Sequence, residues 1–284
     1  MRWQNRRLSD NVEDRRGGGG MRSIGIGGGI GGIIILVLAL LFNQDPQQAL
    51  QSVQQGAGGA ATQSEAVTNS SDEVSRFAST VLADTEDVWK QLFADMNKQY
   101  QDPGMVLYTD YNQSGCGAAQ AAMGPFYCPA DEKVYIDLAF FNEMEQRFKV
   151  AGDFAMAYVI AHEVGHHVQN LLGTSRKVQS MRSQLSEREY NQLSVRLELQ
   201  ADFLAGVWAH HAQKMQNILE PGDIEEALNA ASAVGDDALQ KASSGHVVPD
   251  AFTHGTSEQR MRWFKKGFET GDVRQGDTFN TTNL

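Results

Sequence analysis

The chain has 284 residues, a formal net charge of −11 and 41% hydrophobic residues, enough for one large or two small domains with a full core. Six arginines and three acids fall in residues 1–42, which leaves the remainder at −14. So acidic a body, with no basic stripe interleaved with aromatics, argues against nucleic acid as a partner.

Residues 1–23 are short, polar and arginine-rich, with four glycines at 17–20, and read as a basic tail with little structure of its own. Residues 24–42 follow, 19 positions without a charge, about 28 Å if helical and close to the hydrocarbon thickness of a bilayer. They read as a single transmembrane helix. The alternatives are a cleaved signal peptide, against which the head is long and no small-x-small site follows Phe42, and a glycine-rich soluble segment. Arginines cluster before the stretch and none lies in the thirty residues after it. The positive-inside rule then puts the N-terminus in the cytoplasm and the body in the periplasm of a bacterium, anchored by one pass in the inner membrane. Residues 43–71, rich in Gln, Ala, Gly and Ser, read as a flexible linker.

The folded domain is expected over residues 72–284, mostly helical with a small β-sheet. Val74, Phe77, Val81, Val88, Leu92 and Met96 recur at helical intervals and predict an amphipathic helix to about Asn97. Residues 105–108, 116–127 and 133–140 are richer in β-branched and aromatic residues, with turn signals between them, and predict the sheet. Either 134–137 or 118–123 is a candidate for a free edge that pairs with an extended peptide. Cys116 and Cys128 are the two cysteines, and outside the cytoplasm a disulfide between them is favoured over two buried thiols.

Residues 153–173 carry His162-Glu163-Val164-Gly165-His166, an H-E-x-x-H pattern inside an apolar run at helical spacing, with Asp153 as N-cap and Gly173 beyond the C-terminus. Residues four apart share a helix face, so His162 and His166 can grip one metal ion, while Glu163 leaves the turn at an angle suited to a water on that metal. Zn²⁺ takes imidazole nitrogen readily and in catalytic sites has three protein ligands and an open vertex. A third histidine six residues after His166 is absent, since Leu172 stands there, so the third ligand comes from farther along the chain.

Ser186 and Glu189 form a capping box that opens a long helix to about Lys214, carrying Glu198-Leu199-Gln200-Ala201-Asp202. Glu198 is the expected third ligand, and Asp202, one turn on, can accept the spare N–H of a metal-bound histidine. His210 and His211 are rival ligands. Another helix is expected from Asp223 to about Lys241, capped by Asp223 and Glu226. The loop 242–256 holds His246 and His254, and Thr256 with Gln259 caps a last helix through Phe268. His254, just ahead of that helix, is placed to stabilise a developing oxyanion, with Arg260 on the first turns; His246 is the other candidate donor, and a structural hydrogen bond is the alternative for each. After Thr270 the polar tail is expected to fray.

Taken together, MRWQNRR (1–7), NVEDRR (11–16), GPFYCP (124–129), YVIAHEVGHHVQN (158–170), ELQAD (198–202) and FTHGTSEQR (252–260) resemble the neutral zinc metallopeptidase family of bacterial single-span membrane proteins. The resemblance covers nearly the whole chain apart from the linker, and it implies a zincin fold and a bacterial inner-membrane anchor but no substrate. A more distant likeness is to integral-membrane CAAX-prenyl and heat-shock-type zinc proteases. Their E-x-x-A-D pattern supplies a zinc ligand and its aspartate partner, matching Glu198 and Asp202, and a later His and Arg match His254 and Arg260. This chain has one apolar span where those have several. The expectation is an α+β, predominantly helical, zincin-like peptidase that acts on peptide or protein substrates with Zn²⁺ held by His162, His166 and Glu198 and with Glu163 as base. The alternative is a zinc-stabilised scaffold or chaperone-like protein tethered to the membrane.

Overall fold

The computed structural model describes residues 1–16, 68–120, 124–148, 150 and 152–284. The expected span at 24–42 lies outside the described residues; among those described, no helix is long and apolar enough to cross a membrane.

The strands are β1 (Val12–Asp14), β2 (Gly104–Tyr108), β3 (Tyr111–Ser114), β4 (Gly117–Gln120), β5 (Phe126–Cys128) and β6 (Lys133–Asp137). The helices are α1 (Thr68–Asp95), α2 (Ala139–Phe148), α3 (Asp153–Leu172), α4 (Thr174–Ser180), α5 (Glu187–Gln216), α6 (Asp223–Ala233), α7 (Asp236–Ser244) and α8 (Ser257–Thr270). The fold is α+β and mostly helical. One sheet has the order β1-β2-β6-β5, with β1, β2 and β6 parallel and β5 antiparallel to β6; β3 and β4 form a separate hairpin.

β2 and β6 are buried on both faces, as interior parallel strands are. Met105, Leu107, Val134 and Ile136 join the helical core, while Val106, Tyr108 and Tyr135 pack with Ala119 and Cys128 on the other face. The disulfide Cys116–Cys128 ties the β3–β4 hairpin to β5. Because β6 is flanked by β2 and β5, residues 134–137 offer no free edge; β5 is the strand at that end of the sheet. Residues 139–140, expected in a strand, open α2 instead.

α3 is buried on most sides and lies against α5. Gly165 sets the spacing: a Cβ there would sit 3.0 Å from Ala201 O and 3.2 Å from its Cα, so the bare backbone lets α5 come close enough to face the α3 histidines. α5 and α8 interlock through Gly206 and Gly267, whose added Cβ atoms would lie 2.1 Å from Phe264 O and 2.0 Å from Phe203 O.

Both capping boxes, Ser186 with Glu189 and Thr256 with Gln259, are present. Three local expectations change. Gly152, not Asp153, is the N-cap of α3, and Asp153 lies in its first turn. Gly222, not Asp223, is the N-cap of α6, Glu226 accepts from Phe154 N at 3.0 Å instead of capping, and the helix expected from 223 to 241 breaks after Ala233. The break gives Val234 O to Arg260 Nη1 at 3.2 Å and lets Gly235 pass beside Ser257 N, 2.4 Å from where a Cβ would be. The tail is anchored, not frayed: Arg196 Nη1 donates to Phe279 O and Thr281 O, and Thr278 Oγ1 donates to Arg196 O.

The largest departure is at the N-terminus. Residues 1–16, expected to have little structure of their own, pack on the body: Met1 and Trp3 are buried, and β1 extends the sheet in register with Met105, Val106 and Leu107.

Candidate metal centre

α3 and α5 cross so that His162, His166 and Glu198 meet, with one ligand atom from each lying within 4.8 Å of the others. Nε2 of His162 lies 3.2 Å from Oε2 of Glu198, and Nε2 of His166 lies 3.4 Å from Oε1. The two rings stand edge to face, with centroids 4.8 Å apart.

Each ring is fixed through its other nitrogen. His162 Nδ1 lies 2.8 Å from Asp202 Oδ1. Asp202 is fully buried and also accepts from Tyr158 Oη at 2.5 Å, Arg260 Nε at 2.8 Å and Arg260 Nη2 at 2.9 Å. Burial pushes the Asp202 carboxyl up, and Arg260 and His162 outweigh it, holding it at about 2. A full negative charge therefore faces His162 Nδ1 and keeps the proton on that nitrogen, so Nε2 is the nitrogen turned toward Glu198 and the one left for a metal ion.

His166 is held differently. Its Nδ1 lies 2.9 Å from Gln169 Oε1, and Gln169 Nε2 donates to Leu197 O at 2.7 Å and to Gln200 Oε1 at 3.2 Å. Leu197 O can only accept, so the amide nitrogen must face α5 and the amide oxygen must face His166. Gln200 Nε2 in turn donates to Gly276 O at 2.8 Å, which links the anchored tail to the site.

Burial pushes the Glu198 carboxyl up, but His166 and His162 outweigh it and hold it well below the usual carboxylate range. His162 shows the converse: burial alone lowers it, while Asp202 and Glu198 raise it to about 10. Two imidazole nitrogens and a carboxylate thus converge on a point that attracts positive charge. Two nitrogen ligands, one oxygen ligand and both outer N–H groups engaged is a donor set that fits Zn²⁺.

Glu163 is buried beside this group; burial pushes its carboxyl up, offset in part by His162 and His166. The backbone N–H of Tyr127 on β5 faces it and lowers it slightly. His254 is about half exposed, its Nδ1 lying 2.9 Å from Thr253 Oγ1 and 3.3 Å from Asp236 Oδ1. Burial lowers its pKa, and Asp236 and then Glu198 raise it above the ordinary value. Its loop is shaped by Asp236 Oδ2, which accepts from the backbone N–H groups of Thr253, His254 and Gly255 at 2.8, 2.6 and 3.0 Å. His246 is exposed and its Nδ1 turns to Ser244 O. Arg260 faces Asp202 and Tyr158 and is buried behind His162.

The rival histidines are engaged elsewhere. His210 Nδ1 and His211 Nε2 lie 2.8 Å from Phe268 O and Gly271 O at the end of α8. His167, next to the motif, is fully buried between Tyr127 Oη at 2.9 Å and Gln101 O at 2.7 Å; a carbonyl can only accept, so Nε2 carries the proton.

The family described as "Putative neutral zinc metallopeptidase" matches residues 1–279. The chain belongs to this family. It is 52% identical to the protein named "Uncharacterized protein YpfJ" of Escherichia coli (strain K12), over 98% of this chain and 99% of that one. It is 42% identical to "Uncharacterized protein Rv2575" of Mycobacterium tuberculosis (strain ATCC 25618 / H37Rv), over 69% of this chain and 68% of that one. No solved structure matches the chain.

Gln169, Tyr158, Tyr127 and Asp236 were not legible as site residues. Gln169 had a signal: it lies three residues after His166 and so stacks on the same face of the helix.

Proposed function

We propose that the protein is a zincin-like, zinc-dependent endopeptidase of the bacterial envelope, tethered through the apolar stretch 24–42. His162, His166 and Glu198 would hold the ion. The observation that carries this reading is the Glu198 carboxylate, brought on a separate helix to within 3.2 and 3.4 Å of the two imidazole nitrogens, with a buried carboxylate, Glu163, beside them. A zinc ion there supplies Lewis acidity toward a peptide carbonyl and lowers the pKa of water at its open vertex.

Glu163 accepts a proton from the attacking water and passes it to the leaving amine, a task helped by a carboxyl pushed up by burial. Asp202, held by Arg260 and Tyr158, keeps His162 in the metal-binding tautomer, and Gln169 does the same for His166. His254 steadies the charge that develops on the carbonyl oxygen. β5 ends the sheet next to Glu163, so an extended peptide adding to its outer edge would lie across the base. The Cys116–Cys128 disulfide favours an oxidising compartment for the body.

Among the described residues the metal-ligating group has three members, which leaves a vertex for chemistry; a purely structural zinc site is usually closed by a fourth protein ligand, and this favours an enzyme over a zinc-stabilised scaffold. The test is Glu163→Gln, which removes the proton acceptor and no ligand. The variant should retain zinc and lose chelator-sensitive cleavage of unfolded protein. Undiminished cleavage would refute the assignment.

A further inference from the structure

The arginine-rich head carries two readings that cannot hold together. As a topogenic signal, its positive charge keeps it in the cytoplasm and sends the body across the membrane. In the fold, that charge is already used. Arg6 Nη2 meets Asp84 Oδ1 at 2.7 Å, and Arg7 Nη2 meets Glu86 Oε2 at 2.9 Å and Asp87 Oδ1 at 2.7 Å, all on α1. Asp84 and Glu86 are buried, so these arginines are engaged by carboxyl groups that water does not reach.

The rest of the head is equally committed. Arg2 N donates to Ile218 O at 2.8 Å, and Trp3 stands edge-on to Phe77 with ring centroids 5.5 Å apart. Ser9 N donates to Ser79 O at 3.2 Å, and Asn11 Nδ2 donates to Glu86 Oε1 at 2.9 Å. Met105 N donates to Asn11 O and Arg15 N donates to Leu107 O, both at 2.8 Å, continuing the β1–β2 ladder. β1 also covers the edge of β2, which would otherwise offer a row of unpaired backbone groups.

We infer that residues 1–16 and 68–284 lie on the same side of the membrane, with the face formed by α1 and β2 as the docking surface of the chain's own head. A chain that crosses a bilayer once between head and body puts them in different compartments, where none of these contacts can form. Borrowing the head of a second copy does not escape this, because copies inserted in one orientation share the same separation. The inference is independent of the peptidase reading, since it uses no residue of the metal centre.

The test uses the full chain in sealed right-side-out membrane vesicles. Leu8, 43% exposed on the head, and Ser183, exposed on the body, are each replaced by cysteine and treated with a membrane-impermeant maleimide, with labelled sites read by mass spectrometry. Labelling of both before the vesicles are opened, with no gain on opening, is the expected result. Labelling of both only after opening would also put head and body together, on the inner side, and would remove the envelope placement of the peptidase. Labelling of one before opening and the other only afterwards overturns the inference. A Ser9→Cys, Ser79→Cys pair supplies a second readout, a cross-linked peptide absent from either single variant. If burial of Ser79 prevents that pair from folding, the labelling at the two exposed positions decides.

Discussion

Replacing Gln169 with leucine keeps roughly the side-chain volume and deletes both ends of the amide. Three partners lose their bond at once: His166 Nδ1, at 2.9 Å, and the acceptors Leu197 O and Gln200 Oε1, at 2.7 and 3.2 Å. Gln169 is fully buried, so water does not simply replace it. Leu197 O keeps its helical bond, so two groups are left unsatisfied at about 1–3 kcal/mol each, leucine returns about 1.5–3 kcal/mol of apolar burial, and the metal-free variant should be less stable by about 2 kcal/mol. The second effect is on the ion. With nothing to hold the proton on Nδ1, His166 spends part of its time in the wrong tautomer or rotated, and loss of such a partner typically weakens metal binding about 10–100-fold. Urea denaturation of the metal-free protein reads the first effect, and zinc competition against a chromophoric chelator reads the second. Gln169→Glu separates them: it keeps an acceptor at His166 but sets a carboxylate against two other acceptors. It should bind zinc more tightly than the leucine variant while remaining destabilised. Zinc affinity within about twofold of wild type in Gln169→Leu would show that the amide does not orient the ring.

Glu198→Ala should weaken zinc binding by more than Gln169→Leu does, whereas His210→Ala should leave it unchanged and loosen only the end of α8, by about 1 kcal/mol; zinc analysis of the two variants with the reverse ranking would move the third ligand. Asp84 links stability to pH. Burial outweighs Arg6 and pushes its carboxyl up from 3.8 to about 7, so the folded protein keeps a proton that the unfolded chain releases. Its contribution is present below the unfolded pKa and is lost as pH rises through the folded one. Between pH 5 and 8 wild type should lose on the order of 2 kcal/mol more than Asp84→Asn in urea titrations, and parallel profiles would contradict this. Gly267→Ala puts a Cβ 2.0 Å from Phe203 O, so α5 and α8 must part; a destabilisation of about 3 kcal/mol is expected by thermal or chemical denaturation, and a change under about 0.5 kcal/mol would show that the helices yield freely.

Local signals in the sequence were read correctly where the interaction itself is local. The capping boxes at Ser186 and Thr256 and the αL glycine after α3 involve residues three or four apart, and all are present. The meeting of Glu198 with His162 and His166 was also legible, because the donor set lacked a third member and α5 supplied a carboxylate on an apolar helix. What could not be read depends on distant partners. Nothing near Arg6 and Arg7 shows that their counter-ions wait at Asp84 and Glu86, so the head had the composition of a solvated tail. The same holds for the polar end of the chain, which Arg196 pins from the middle of α5. The break between α6 and α7 is set by α8, whose Arg260 and Ser257 require that space. Strand order decided the free edge: 133–137 has the more strand-like sequence, yet it is enclosed; of the other candidate, 118–120 pair only with β3 and 121–123 lie outside the described residues, while β5 ends the larger sheet.

The docked head bears on how the protein should be produced. A fragment beginning at residue 68 would resemble a clean catalytic domain, yet it would lack β1 and leave the edge of β2 open to pairing with other chains. It would also strip Asp84 and Glu86 of their arginines and uncover the apolar seat of Met1 and Trp3. Such material would be prone to aggregate, and a missing activity measured on it would report an incomplete fold, not an inert metal centre. Supplying residues 1–16, joined by a short polar loop in place of 17–67, would restore what truncation removes.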